Sequence, residues 1–262
     1  MENTPLISLI TVNLNSGKLL EKTFNSVESQ FYKDFEYILI DGLSTDESRE
    51  IIRKNNYLFN NLIIEKDNGI YDAINKGIKI ANGKYIILLH AGDYFFGRYS
   101  LESIKDLIIN SKYTDILLSN VHVSDLAFRY REYPSSIFAI SRLRYGIMPP
   151  HPGMIISRRV YKQVGLYSCK YKIASDFDMV VRIFNTKSIK YELIDRTFIV
   201  MIHGGVSDQL KNKIKLHKEI FEICRNNGIK TNHLLISLRF LIKIPAIVFK
   251  YIRIKKRLKK IS

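Results

Sequence analysis

The stretch that decides the fold is "YIILLHAGDYF", residues 85–95, in which five apolar or aromatic residues, Tyr85 to Leu89, run straight into His90, Ala91, Gly92 and Asp93. A short run rich in Ile and Leu that ends in a glycine-containing turn reads as a buried strand. A carboxylate at its exit marks the open end of that strand. Working outward, "LISLITV", "EYILID" and "NLIIEK" repeat the pattern upstream. Helical stretches separate them. Residues 18–30 place Leu19, Leu20, Phe24 and Val27 on one face, and residues 72–81 place Ala73, Ile74, Gly77 and Ile78 likewise. Strands alternating with helices imply βαβ units and an α/β fold with a mainly parallel, Rossmann-like sheet flanked by helices. In such sheets ligands gather at the carboxyl ends of the strands. Thr11 and Asn13 close the first strand, Asp41 the second and Asp93 the fourth, so three strand ends are expected to converge on one crevice.

At 262 residues and 46% hydrophobic content the chain can bury a full core, as one large domain or a domain with an appendage. Cys169 and Cys224 have neither CxxC nor zinc-like spacing, which excludes a disulfide framework and fits a reducing cytoplasm. The segment "MENTPLISLITVNLNSG" has no basic region ahead of its apolar run, so it is expected to be a first strand rather than a signal peptide. The net charge of +16 is unevenly spread. Residues 211–262 hold 15 Lys or Arg against Glu219 and Glu222 alone, leaving residues 1–210 at only +3. A nearly neutral body with a basic tail argues against nucleic acid as a partner and for an anionic surface met by the tail.

Downstream, "SLESIKDLIINS" reads as a helix and "DILLSNVHV" as a strand, followed by a Tyr-, Arg- and Ser-rich segment ending in "MPPHPG" that is expected to be a lid or acceptor-side region. "SDFDMVVRIFN" reads as a helix with Ser175 as N-cap and acidic residues in its first turn. Arg182, at i+4 from Asp178, is placed to pair with it.

Taken in order, "SLITVNLNSG", "SVESQFYKDFEYILIDGLSTDES", "DNGIYDAINKGIKIANGKYIILLHAGD" and "ASDFDMVVRI", with "GGVS" at 204–207, resemble the family 2 glycosyltransferases with the GT-A fold, especially bacterial enzymes of polysaccharide and O-antigen assembly. The resemblance implies that Thr11, Asn13 and Asp41 meet the nucleotide base and ribose of a nucleotide-sugar donor, expected to be a UDP-sugar, and that Asp67 reaches the same donor. Where that family often carries two acidic residues, Asp41 is followed by Gly42. Its Asp-x-Asp metal motif corresponds to Ala91-Gly92-Asp93, which implies Asp93 as ligand of Mn²⁺ or Mg²⁺, with Gly92 beside the donor and His203 as a further candidate ligand. Its catalytic base corresponds to Asp176, with Asp178 as the alternative, because a weakly acidic sugar hydroxyl needs a carboxylate to take its proton as it attacks. Lys76 reads as solvated and His90 as a hydrogen-bonded structural histidine, while His151 is balanced between that role and a place beside the acceptor region. The absence of tryptophan removes the Gln-x-x-Arg-Trp motif of processive members and points to single-sugar addition.

Residues 1–215 are therefore expected to form the catalytic domain, with a nucleotide-sugar half at about 1–100 and an acceptor half at about 101–215. Residues 216–262 are expected to form a helical, membrane-associating tail. Within 232–261, Arg239, Lys243, Lys250, Arg253 and Arg257 fall in roughly an 80° arc of a helical wheel, with Leu, Ile, Phe and Val around the rest. Such a helix suits an anionic leaflet, placing the protein on the inner face of the cell membrane, though packing of the same helix on protein is the alternative. The expected activity is inverting, metal-dependent transfer of one sugar to a lipid-linked or saccharide acceptor, either monomeric or oligomeric. The alternatives are a sugar nucleotidyltransferase and a non-catalytic membrane-associated saccharide-binding protein.

Overall fold

The apolar runs form strands because they are covered on both faces, which rewards continuous Ile, Leu and Val over alternation. The computed structural model describes residues 4–112, 114–124, 130–202 and 210–239. Strands β1 (Ile7–Asn13), β2 (Glu36–Asp41), β3 (Asn61–Ile64) and β4 (Tyr85–Leu88) lie parallel in the order β3-β2-β1-β4. Helices α1 (Lys18–Glu28), α2 (Ser48–Lys54) and α3 (Ile70–Ile80) make the crossovers. Helix α1 stops two residues short of expectation and buries Leu20, Thr23, Phe24 and Val27, whereas Leu19 stays exposed. Helix α3 starts two residues early and buries the expected Ala73, Ile74, Gly77 and Ile78, with Asn75 added.

The second half departs from the expected parallel pattern. After β5 (Tyr94–Phe95) and α4 (Ser100–Asn110) come β6 (Ile116–Ser124), β7 (Tyr130–Tyr133), β8 (Met154–Ser157), α5 (Arg158–Val164), α6 (Ser175–Asn185), β9 (Tyr191–Ile202), α7 (Leu210–Asn226) and α8 (His233–Ser237). The full sheet runs β3-β2-β1-β4-β8-β6-β9-β5, with β7 against β6. Strand β8 is antiparallel to both β4 and β6, and β5 and β7 also pair antiparallel, so the sheet is mixed rather than mainly parallel. The reason is local: β8 is reached through the turns of residues 134–153 and not through a crossover helix, so it enters reversed.

Alternation along the strands divides the core into two layers. Ile10, Val12, Ile38, Ile40, Ile86 and Leu88 face one side, under α3, α5, α6 and α7. Leu9, Leu39, Ile87, Leu117 and Ile155 face the other, under α1 and α4. Residues 134–153 are not a loose lid: Ile137, Phe138, Leu143 and Ile147 are buried. The expected boundary at 215 falls inside α7, whose Ile220, Ile223 and Cys224 belong to the core, and Ile236 of α8 joins them. The packed body therefore continues to the end of the described chain. Arg239, assigned from sequence to a basic stripe, is buried, with its guanidinium close to Gly146. The other four cations of that stripe lie outside the described residues, as do His203 and the "GGVS" segment. No helix among the described residues is long and apolar enough to cross a membrane. Both cysteines are free, Cys169 exposed and Cys224 buried.

Candidate active site

At the carboxyl ends of β1 and β2 the register sets Asn13 beside Asp41. Asn13 Nδ2 donates to Asp41 Oδ1 at 2.7 Å and to Ser44 Oγ at 3.0 Å, while Ser44 gives its hydroxyl to Asp41 Oδ1 (2.6 Å) and its amide to Oδ2 (2.9 Å). Asp41 is thus rigid, and Asn13 Oδ1 is buried with no partner among the described residues. Thr11 lies deeper than expected from its position in the sequence. It is fully buried, its hydroxyl donating to Leu89 O (2.7 Å) and lying 3.0 Å from Tyr37 Oη, so its observed work is to fasten β1 to the start of the 90–93 loop.

Gly42 explains the missing second acidic residue. A Cβ there would sit 2.8 Å from Asp67 Oδ2, so the carboxylate of Asp67 already occupies the space beside residue 42. Lys76 holds it, with Nζ 2.6 Å from Asp67 Oδ1 and 2.9 Å from Glu65. Lys76 is ion-paired and largely buried rather than solvated, which corrects the reading from sequence.

The 90–93 turn is pinned by a residue that sequence reasoning did not single out. Thr23 Oγ1 accepts the Gly92 amide (2.9 Å) and donates to the Asp93 carbonyl (2.8 Å). Gly92 has φ +99°, a conformation costly for side-chain-bearing residues, which is why glycine precedes Asp93. Asp93 is buried, and loss of solvent pushes its carboxyl up from 3.8 to about 7, although the Ile202 and His90 backbone hydrogen bonds pull the other way. The Ile202 amide donates to Asp93 Oδ1 at 3.3 Å.

Asp176 and Asp178 separate cleanly. Asp178 is buried and bonded to Arg182 at 2.9 Å, so its charge is spent on the fold. Asp176 has no cation at ion-pair distance among the described residues. Burial raises its carboxyl from 3.8 to about 6, against the Phe177 amide, which donates to Oδ1 at 2.7 Å. Ser175 is not the N-cap as expected: the helix begins at Ser175 itself, Ala174 occupies the cap position, and Ser175 Oγ is buried without a partner among the described residues. The turn that leads into the helix is held by Glu219 of α7, another residue missed from sequence. Its carboxylate accepts the amides of Lys172, Ile173 and Ala174 at 3.1, 2.9 and 2.8 Å.

Rings connect this turn to Asp93. Tyr71 donates to Ile173 O (2.7 Å) and stacks on Tyr167; Tyr167 Oη lies 2.8 Å from His151 Nε2; and His151 stacks on His90, whose carbonyl accepts the Asp93 amide. Burial lowers His90 to about 4 and His151 to about 3, so both imidazoles are neutral near pH 7. His90 Nδ1 is buried and without a partner among the described residues, as are Asn13 Oδ1 and Ser175 Oγ. Buried polar atoms are nearly always bonded in a finished protein, and three unpartnered ones lie on or next to the predicted residues.

No group of three His, Cys, Asp or Glu side chains that could cage a metal occurs among the described residues. The single Asp93 carboxylate fits a hard cation that takes its remaining oxygen ligands from elsewhere, which is how Mg²⁺-like ions bind with phosphates.

A mixed sheet with Asn13, Asp41 and Asp93 at or just beyond the carboxyl ends of its parallel strands is the GT-A architecture of glycosyltransferases. The structure superposes on S. aureus TarS residues 1–349 in complex with UDP-GlcNAc with a TM-score of 0.64 and 19% identity, covering 84% of this chain and 66% of that one. It also superposes on the mannosyltransferase PcManGT from Pyrobaculum calidifontis in complex with GDP-Man and Mn²⁺, with a TM-score of 0.62 and 14% identity, covering 88% and 66%. In sequence it is 28% identical over 218 residues to a "PGL/p-HBAD biosynthesis glycosyltransferase" of Mycobacterium bovis, covering 80% of this chain and 82% of that protein. The chain belongs to glycosyl transferase family 2, whose sequence model matches residues 8–173. Of the three activities weighed from sequence, glycosyl transfer is the one this membership supports.

Proposed function

We propose that this glycosyltransferase moves one sugar from a UDP-sugar to a lipid-linked or saccharide acceptor with inversion at the anomeric carbon, in the assembly of cell-surface polysaccharide such as O-antigen. The observation that carries the reading is Asp176. It is a partly buried carboxylate at a helix start, raised to about 6 by loss of solvent and with no cation at ion-pair distance among the described residues, while its neighbour Asp178 is consumed by Arg182. A proton acceptor for a sugar hydroxyl works best when its pKa lies near the operating pH.

In this reading Asp176 Oδ takes the acceptor proton, and the turn gathered by Glu219 fixes where that oxygen points. Asp41 and Asn13 receive the base and ribose, Asn13 Oδ1 supplying an acceptor that the protein leaves open. Asp67, steadied by Lys76, faces the donor beside Gly42. Asp93 would hold Mn²⁺ or Mg²⁺, which supplies neutralisation for a departing diphosphate. The nucleotide-sugar complexes of TarS and PcManGT, the latter with Mn²⁺, support donor class and cation. The basic segment beyond residue 239 is proposed to rest on the inner leaflet of the cell membrane.

The test is transfer by the purified full chain from a panel of UDP- and GDP-sugars with Mn²⁺, with the product's anomeric configuration read by NMR. Inverted product, lost on Asp93→Asn and on Asp176→Asn, is expected. Retained configuration, or undiminished turnover in both variants, overturns the mechanism.

A further inference from the structure

The opposite edge of the sheet carries a second concentration of charge. A groove of about 710 Å³ opens where β4 begins, β8 ends and β6 and β9 start, the far side from Asp41 and Asp93. From Tyr85 to Leu89 alone the strand covers ~13 Å at about 3.3 Å per residue. Lys84, Arg158, Lys162 and Lys190 line it. The one acidic side chain in the wall, Asp115, is already taken: Arg159 binds it through both carboxylate oxygens at 2.7 Å, and the Lys190 amide donates to it at 3.0 Å. None of the four cations has a carboxylate at ion-pair distance among the described residues. Residues 1–210 carry a net charge of only +3, so four uncompensated cations in one groove are not a sample of a generally basic surface.

A second observation points into the same space. Ser157, at the end of β8, is 93% buried by its 7% exposure, lines the groove, and its hydroxyl has no partner among the described residues. A buried hydroxyl in a well-made protein is nearly always bonded. A buried, unpartnered hydroxyl in the wall of a groove that four cations line suits a phosphoryl oxygen, which accepts hydrogen bonds and carries the charge that lysine and arginine attract.

We propose that this groove binds a phosphate-bearing anion, a phosphomonoester or diphosphate, at a site separate from the catalytic edge. Four cations lining one groove favour a multiply charged anion over a carboxylate. The same chemistry is offered by a soluble phosphate ester and by the headgroup of an anionic lipid, and the experiment separates them.

The full chain is titrated calorimetrically with inorganic pyrophosphate in EDTA, so that no metal assists binding at Asp93. It is also sedimented with vesicles of phosphatidic acid in phosphatidylcholine and with phosphatidylcholine alone. The variant Lys84→Ala/Lys162→Ala/Lys190→Ala removes three exposed groove charges, and Lys54→Ala/Lys79→Ala/Lys218→Ala removes three exposed charges elsewhere. Matching melting temperatures establish that both variants fold. The groove variant is expected to weaken binding about tenfold, each exposed charge contributing modestly, while the control changes little. Selective weakening toward pyrophosphate identifies a soluble ester as ligand; selective loss of phosphatidic acid sedimentation without pyrophosphate binding identifies a headgroup. Equal behaviour of the two variants toward both probes, or no binding of either probe by the unaltered protein, overturns the proposal.

Discussion

Converting Asp176 to asparagine should stop transfer and make the protein more stable, and the two effects have one cause. Burial raises this carboxyl from 3.8 to about 6. Because the folded pKa lies above the unfolded one, the favourable contribution is complete below pH 3.8 and is lost as pH rises through 6. Above that the folded state holds an ionised carboxylate in a poor environment. Each pKa unit corresponds to about 1.4 kcal/mol, so the cost at pH 8 is on the order of 3 kcal/mol. Asparagine keeps the shape, can still accept the Phe177 amide, and never ionises. Urea denaturation of Asp176→Asn and the unaltered protein should therefore give equal stabilities near pH 4 and a difference growing to roughly 3 kcal/mol in favour of the variant by pH 8. In parallel, the rate of transfer by the unaltered enzyme should rise with pH around 6 and then level. Equal or lower stability of the variant at pH 8, or a rate profile flat from pH 5 to 8, would refute the assignment of Asp176 as a destabilised base.

Arg182→Ala should destabilise strongly, by about 3–5 kcal/mol, because it strands the buried Asp178 carboxylate, whereas Asp178→Asn should fold and retain transfer; thermal melts and a turnover assay check both. Thr23→Val, which breaks two hydrogen bonds to the 92–93 turn, should cost about 1–3 kcal/mol in denaturant unfolding and raise the donor KM more than it lowers kcat. Removing divalent cations with EDTA should abolish transfer, with recovery on adding Mn²⁺ in the unaltered enzyme and none in Asp93→Asn, followed by product formation.

The parallel half was legible because strands covered on both faces announce themselves as unbroken apolar runs, and because polar residues such as Asn13, Asp41 and Asp93 stand out where those runs end. The Asp178–Arg182 pair was legible from spacing alone. In the second half α4, β6 and α6 were legible, but strand direction was not, since β8 is four residues long and enters reversed, and no local pattern records which way a short apolar strand runs. The positioning residues were invisible for a different reason. Thr23, Ser44 and Glu219 are chemically ordinary, and each matters through a partner: Ser44 through the Asp41 side chain three residues back, Thr23 through a turn about 70 residues away, Glu219 through amides more than 40 away. Thr11 misled because its place at a strand end suggested contact with ligand, while its hydroxyl is enclosed between Leu89 and Tyr37.

Glu219 also bears on how the protein can be shortened. The family match ends at residue 173, yet the turn of 172–174 is tied down by a side chain 45 residues further along. A fragment trimmed to the matched residues would lose both Asp176 and the carboxylate that steadies its approach. A substitution or cut that shifts α7 would therefore be felt first at residues 172–174, the turn that leads into the helix bearing Asp176.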